Sequence, residues 1–184
     1  MAVRNLKKIL RPRRLAVIGS GGDRDPISSA IIRNLLSSQF AGDVFVVDQA
    51  GIARDDLPTF ARIDQMPRDV DLALICTSAA QVPQLVRQCG ERGVGGVLVT
   101  SGGFRESGPA GLELQRQIKH EAAKFDGMRI LGPRSIGVLV PHIRLNASLS
   151  PAQPKPGRVA FVSQSGTLCT SALDFAIEEQ IGFS

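Results

Sequence analysis

Most residues able to do chemistry lie in five short stretches of glycine, serine and threonine. The first is Gly19-Ser20-Gly21-Gly22-Asp23-Arg24-Asp25-Pro26. Its glycines would let backbone N–H groups approach a phosphate where a helix begins. It departs from the G-x-G-x-x-G dinucleotide pattern because Arg24 replaces the third glycine, and a tight turn without ligand is the competing reading. The later stretches are Thr77-Ser78-Ala79, Ser101-Gly102-Gly103-Phe104-Arg105, Gly132-Pro133-Arg134-Ser135 and Ser163-Gln164-Ser165-Gly166. Small, donor-rich turns of this kind along one sheet edge would suit an extended, phosphorylated ligand.

Asp48 ends an apolar run and has two readings. In a dinucleotide site it would accept a hydrogen bond from an adenosine ribose hydroxyl, favouring NAD and opposing a phosphate on that ribose. Equally, it is a turn-forming residue before Gln49-Ala50-Gly51. Ser163 to Gly166 precede a helical stretch, so they form either a second anion site or a plain helix cap. His120 sits among Lys119, Glu121 and Lys124 on a solvated face. His142 has no acid or cysteine at ligand spacing, and neither histidine has a partner for a catalytic triad. Cys76, Cys89 and Cys169 are odd in number and widely spaced, which suggests neither disulfides nor a metal site and fits a reducing, cytoplasmic compartment. The catalytic residue is therefore left unknown, and no metal is expected.

The elements that must position these turns follow from periodicity. Strands are expected at Leu15–Ile18, Val44–Val47, Leu72–Cys76, Val94–Val99, Met128–Leu131 and Val159–Val162. Ile27, Ile31 and Leu35 mark one helix, and Val82, Leu85, Val86 and Cys89 a second. Leu114, Ile118, Ala122 and Phe125 mark a third, which Asp126-Gly127 ends. Alternating strands and helices, with strands apolar on both faces, imply an α/β fold with a helix-covered parallel sheet. Ser150 to Gly157 hold three prolines and a glycine and read as a connector. The expected organisation is a domain over 1–150, a linker over 151–158 and the beginning of a second domain over 159–184. A single βα unit cannot bury its own faces, so the chain is expected to be a piece of something longer or to borrow strands from another molecule.

Composition narrows the function classes. The 184 residues are 43% hydrophobic and 21% charged, as in ordinary globular proteins. No run approaches the length of a transmembrane helix, so no membrane association is expected. The net charge of +5 comes from the first fourteen residues, which hold six cations and no acid; the remainder is close to neutral. That start reads as a short surface helix on Leu6, Ile9 and Leu10 rather than a targeting segment. With no Trp or Tyr and no broad basic footprint, nucleic acid is not an expected partner.

Six strings carry a resemblance when taken together and in order: Arg11-Pro-Arg-Arg-Leu-Ala-Val-Ile-Gly-Ser20, Arg33-Asn-Leu-Leu36, Gly102-Gly-Phe-Arg-Glu106, Leu131-Gly-Pro133, Leu145-Asn-Ala147 and Phe161-Val-Ser-Gln-Ser-Gly166. The set resembles the CoA-binding domain of the NDP-forming acyl-CoA synthetases, a superfamily related to the succinyl-CoA synthetase alpha subunit, and it covers nearly the whole chain. The same region opens the large bacterial protein lysine acetyltransferases.

The resemblance implies a Rossmann-like first domain that binds CoA or acyl-CoA, followed from Val159 by a flavodoxin-like domain. It implies cofactor contacts from Gly19, Ser20, Gly21, Gly22, Arg24, Asp48, Thr77, Ser78, Ser101, Gly102, Gly103, Phe104, Gly132, Pro133 and Arg134. By analogy, Ser163, Gln164, Ser165 and Gly166 would help hold the phosphate of a phosphohistidine that lies beyond Ser184. The implied reaction takes acyl-CoA, ADP and phosphate to acid, CoA and ATP, with ADP/ATP and magnesium bound only by an ATP-grasp domain or subunit. These residues alone are expected to be inactive, and homo-oligomerisation stays open. The chain departs from the family at Arg134 and Asp48, where asparagine is common. The charge of Asp48 would oppose the 3′-phosphate of CoA, which Arg24 or Arg54 would offset. Two rivals remain: the CoA-binding region of a lysine acetyltransferase, and an NAD-binding oxidoreductase or redox-sensing module motivated by Asp48.

Overall fold

The computed structural model describes residues 5–19, 26–48 and 57–184. In chain order its elements are α1 (Leu6–Leu10), β1 (Arg14–Gly19), α2 (Pro26–Ser37), β2 (Asp43–Asp48), β3 (Thr59–Phe60), β4 (Leu72–Ile75), α3 (Val82–Glu91), β5 (Gly96–Val99), α4 (Pro109–Ala123), β6 (Arg129–Leu131), β7 (Gly137–Val140), β8 (Leu145–Ser148), β9 (Pro156–Val159) and α5 (Gly166–Glu178). They form two compact units. One falls within Met1–Ser29 and Gly42–Ser135, the other within Ala30–Ala41 and Ile136–Ser184.

The first unit is built on a six-stranded sheet of order β3-β2-β1-β4-β5-β6. Every neighbouring pair is parallel. This is the doubly wound α/β arrangement the alternating pattern implies, and its strand order reverses between β1 and β4. β4 and β5 are buried at every residue, as strands covered on both faces must be. Ala16 and Ile18 of β1, Ala73 and Ile75 of β4, and Val97 and Val99 of β5 share one cluster with Val82, Val86 and Cys89 of α3 and Ile118 of α4. The expected i, i+3, i+4, i+7 face of α3 is buried at Val82, Leu85, Val86 and Cys89. Burying each of the larger apolar side chains stabilises the unit by about 1.5–3 kcal/mol.

The opposite end of the sheet is fixed by ions and by the expected first helix. Arg14 at the start of β1 pairs with Asp69, and with Asp43 at the start of β2 at 3.0 Å. Ile9 of α1 is buried, and a Cβ on Gly96 would stand 2.6 Å from its side chain, so a side chain at the start of β5 would displace the helix.

The second unit contains two strands that the sequence pattern did not suggest. β7 and β8 pair antiparallel, Gly137 opposite Ser148 and Val140 opposite Leu145, and Arg144 turns the chain at φ +54°. Their polar interior is satisfied. Asn34 Nδ2 donates to the carbonyls of Ser148 and Ser150 at 2.8 and 3.0 Å. Asn146 Nδ2 donates to those of Ser150 and Ala152, both at 3.0 Å. Asn146 and Ser148 are thus buried without leaving a donor unused. The strand expected over Val159–Val162 instead runs Pro156–Val159, bridging among the described residues only to Phe183, and Val162 is 94% exposed. With so little sheet beneath it in this unit, α5 buries Leu173 and Ala176 and leaves Leu168 and Phe175 exposed.

Candidate functional site at the carboxyl edge of the sheet

Parallel pairing brings the carboxyl ends of all the long strands of the first unit to one edge, and the turns at Thr77, Ser101 and Gly132 leave from it; Ser163 to Gly166, expected on the same edge, instead belong to the second unit, because the strand before them does not join the sheet. Gly19 ends β1 and stands in register with Asp48 at the end of β2. Asp48 is only 1% exposed. Ser20, Gly21, Gly22 and Arg24 lie outside the described residues, as does Arg54.

Beyond β1, hydrogen bonds link the edge turn by turn. Cys76 N donates to the Ile18 carbonyl at 2.9 Å, placing Thr77 beside the end of β1, where the strand order reverses. Ser101 Oγ donates to the Thr77 carbonyl at 2.5 Å, and Thr100 Oγ1 to that of Ile75 at 3.1 Å. Arg134 N donates to the Ser101 carbonyl at 3.1 Å, and Ser135 N to that of Val99 at 3.1 Å. Thr77, Ser101, Gly102, Gly103 and Arg134 are thereby brought together. Thr100 was not singled out in the sequence; its hydroxyl is spent on the sheet.

The turn after β6 requires its glycine. Gly132 has φ +100°, and a Cβ there would meet the Val99 carbonyl oxygen at 2.4 Å. Close approach of the β5 and β6 ends therefore excludes a side chain. The Gly132–Pro133 peptide is cis, and Arg134 follows in the left-handed region at φ +56°. Phe104 is fully buried in the core cluster, so its ring anchors the β5 turn from below. Ser78 is exposed and donates from Oγ to Gln81 Oε1 at 3.2 Å.

Two electrostatic features stand out among the described residues. Thr77 Oγ1 is buried and has no hydrogen-bond partner, although the residue is 6% exposed and sits where a ligand would lie. Glu106, which sequence reasoning quoted only as part of a string, accepts from Gly103 N at 2.8 Å and lies 3.7 Å from Arg134 Nε. Its carboxyl is held below the ordinary range by backbone N–H groups, first its own and then those of Gly103 and Phe104, with the Arg134 guanidinium adding to them. The signal that could have found this role is the spacing: an acid three residues beyond a glycine turn can reach back to its N–H.

In the second unit, Ser163 Oγ accepts from Ser165 N at 3.0 Å, and Ser165 Oγ caps α5 by accepting from Leu168 N at 3.3 Å. Gln164 is exposed, and a Cβ on Gly166 would crowd Ile136 at 2.7 Å. His142 Nε2 donates to the Gly157 carbonyl at 2.9 Å, and His120 is exposed. Among the described residues, no group of three His, Cys, Asp or Glu could hold a metal ion, and no helix is long and apolar enough to cross a membrane.

Residues 13–141 match the family described as a CoA binding domain. The chain belongs to that CoA-binding family. The match runs from the residue before β1 to the residue after β7, and so spans the parallel sheet and every turn on its edge. Acetate–CoA ligase [ADP-forming] I subunit alpha of Pyrococcus furiosus is 35% identical over 184 residues, covering 98% of this chain and 40% of its own. Acetate–CoA ligase [ADP-forming] I of Archaeoglobus fulgidus is 32% identical over 179 residues, covering 97% of this chain and 26% of its own. Among solved structures, the dinucleotide-forming acetyl-coenzyme A synthetase 1 of Ca. Korarchaeum cryptofilum, in complex with phosphate and ADP, superposes with a TM-score of 0.88 at 34% identity. It covers 96% of this chain and 38% of its own. The chain thus spans well under half the length of these relatives.

Proposed function

We propose that residues 1–150 form a CoA-binding domain, joined by a linker over 151–158 to the beginning of a flavodoxin-like domain over 159–184. Together they serve as the CoA-binding part of an ADP-forming acyl-CoA synthetase. The observation that carries the reading is the buried Thr77 Oγ1, unpartnered among the described residues, at the strand-order reversal between the ends of β1 and β4. A ligand laid across the edge would supply the missing hydrogen bond, and an extended phosphorylated one suits the row of turns. The relatives named as ADP-forming acetate–CoA ligases support CoA as that ligand.

In this reading the Gly19–Gly22 turn with Arg24 holds the nucleotide, and Thr77, Ser78, Ser101 to Phe104 and Gly132 to Arg134 line the rest. Ser163, Gln164, Ser165 and Gly166 help hold the phosphate of a phosphohistidine carried elsewhere. An ATP-grasp domain or subunit supplies ADP, ATP and magnesium, and the whole works in the cytoplasm, turning acyl-CoA, ADP and phosphate into acid, CoA and ATP.

Asp48 favours a second reading. A buried carboxylate at the tip of β2, in register with Gly19, would suit a ribose hydroxyl, as in an NAD site. Calorimetric titration with CoA, dephospho-CoA and NAD separates the two; intrinsic fluorescence is silent in a chain without Trp or Tyr. The synthetase reading expects CoA to bind most tightly. Preference for NAD or dephospho-CoA overturns it in favour of a nicotinamide-binding module.

A further inference from the structure

The turn after β5 and the loop after β6 offer the two groups a phosphate would seek, a glycine N–H and a guanidinium. Both are already engaged. Glu106 Oε1 accepts from Gly103 N at 2.8 Å and stands 3.7 Å from Arg134 Nε. The same oxygen lies 3.4 Å from where a Cβ on Gly102 would be, and Arg134 Cγ lies 3.9 Å from that point, so carboxylate, glycine turn and arginine converge. Both groups meet solvent, the Glu106 side chain at 34% exposure and that of Arg134 at 63%.

We propose that Glu106 is a specificity-determining residue. Its carboxylate fills the anion seat of the β5 turn, so this end of the edge turns a phosphate away and accepts a neutral, amide-bearing stretch of the ligand. The proposal rests on the CoA reading only for the identity of that ligand. A phosphate brought to Gly103 N would meet a negative charge within a few ångströms, which at this solvent exposure weakens its binding about two- to fivefold. An amide N–H meets no such penalty and gains a charged acceptor, whose hydrogen bond is stronger than one to a neutral oxygen. The ligand's polarity along the edge is thereby set. Its phosphates go to the Gly19 end, and its uncharged amides lie against Glu106 and Arg134.

The test uses the full chain and two removals of the charge, Glu106→Gln and Glu106→Ser, with inorganic phosphate and CoA as probes. Amide spectra report phosphate at Gly102 and Gly103, and calorimetry reports affinity. Both variants should bind phosphate at Gly103 about two- to fivefold more tightly than the wild-type chain, and adding Arg134→Gln should abolish the gain. CoA should bind Glu106→Gln about two- to fivefold more weakly. Unchanged phosphate binding in both variants overturns the proposal, as does tighter CoA binding, which would put the CoA phosphates at this turn. If the wild-type chain binds no CoA at all, the CoA reading fails and the phosphate titration still decides the role of Glu106.

Discussion

Thr77→Val should move stability and affinity in opposite directions. The hydroxyl is buried without a partner among the described residues, while the rest of the side chain, at 6% exposure, packs at the end of β4. Valine keeps the branched shape and removes only the polar atom. An unsatisfied buried hydroxyl costs about 1–3 kcal/mol relative to one that is paired or absent. Allowing for imperfect packing of the added methyl, the variant should gain about 1 kcal/mol, a rise of about 2–4 °C in Tm for a chain of this size. If the ligand satisfies Oγ1, removing it should cost about 0.5–1.5 kcal/mol of binding, or roughly two- to tenfold in Kd. Thermal melts of the ligand-free chain and calorimetric CoA titrations measure the two halves independently. A destabilised Thr77→Val chain would mean that the hydroxyl already has a partner in solution. A stabilised chain with unchanged CoA affinity would mean that the ligand does not reach Thr77, and the observation carrying the proposed function would be lost.

Gly132→Ala forces a Cβ to 2.4 Å from the Val99 carbonyl at φ +100° and should destabilise by about 2–3 kcal/mol in urea unfolding; a loss below about 0.5 kcal/mol would show that the β6 loop yields easily. Cys89 is fully buried and its thiol is pushed up to about 12 by burial, so it should react with a thiol-directed reagent at pH 8 only as the chain unfolds. Rapid labelling in native buffer would contradict that packing. Asp69 has its carboxyl lowered chiefly by the hydrogen bond to Arg14. A lowered folded pKa stabilises above the unfolded value and is lost as pH falls through the folded one, so Arg14→Gln should flatten the fall in Tm between pH 5 and pH 3; an unchanged slope would remove the pair from the acid response.

The sheet was legible because its information is local. Runs such as Leu72–Cys76 are too short and too apolar for anything but a buried strand, and the faces of α3 and α4 repeat at helical spacing. The β7–β8 hairpin was not legible. Its strands hold Asn146 and Ser148, polar residues that are buried because Asn34, more than a hundred positions earlier, donates to the neighbouring carbonyls. Strand propensity misses a segment whose burial depends on hydrogen bonds from so far away. The misplaced last strand has a related cause. Val159 to Val162 look like a core strand by composition, but a strand is defined by partners, and here the partner is Phe183, which bridges to Pro156 and Val159 instead.

The same division runs through the candidate site. Residue type and position after a strand sufficed to name Thr77, Ser101, Gly103 and Gly132, because parallel topology sends every such turn to one edge. Which of those groups is available is a question of pairing, and pairing is not periodic. Ser101 spends its hydroxyl on the Thr77 carbonyl, and Arg134 has Glu106 beside it, so two of the cofactor contacts named from the sequence are partly committed in the fold. Thr77 looks less distinctive, yet it carries the donor left over. A row of donor-rich turns therefore overstates its appetite for phosphate until its internal hydrogen bonds are subtracted. What remains among the described residues is one orphan hydroxyl at the reversal point and a carboxylate at the β5 turn, an edge whose charge preference changes along its length.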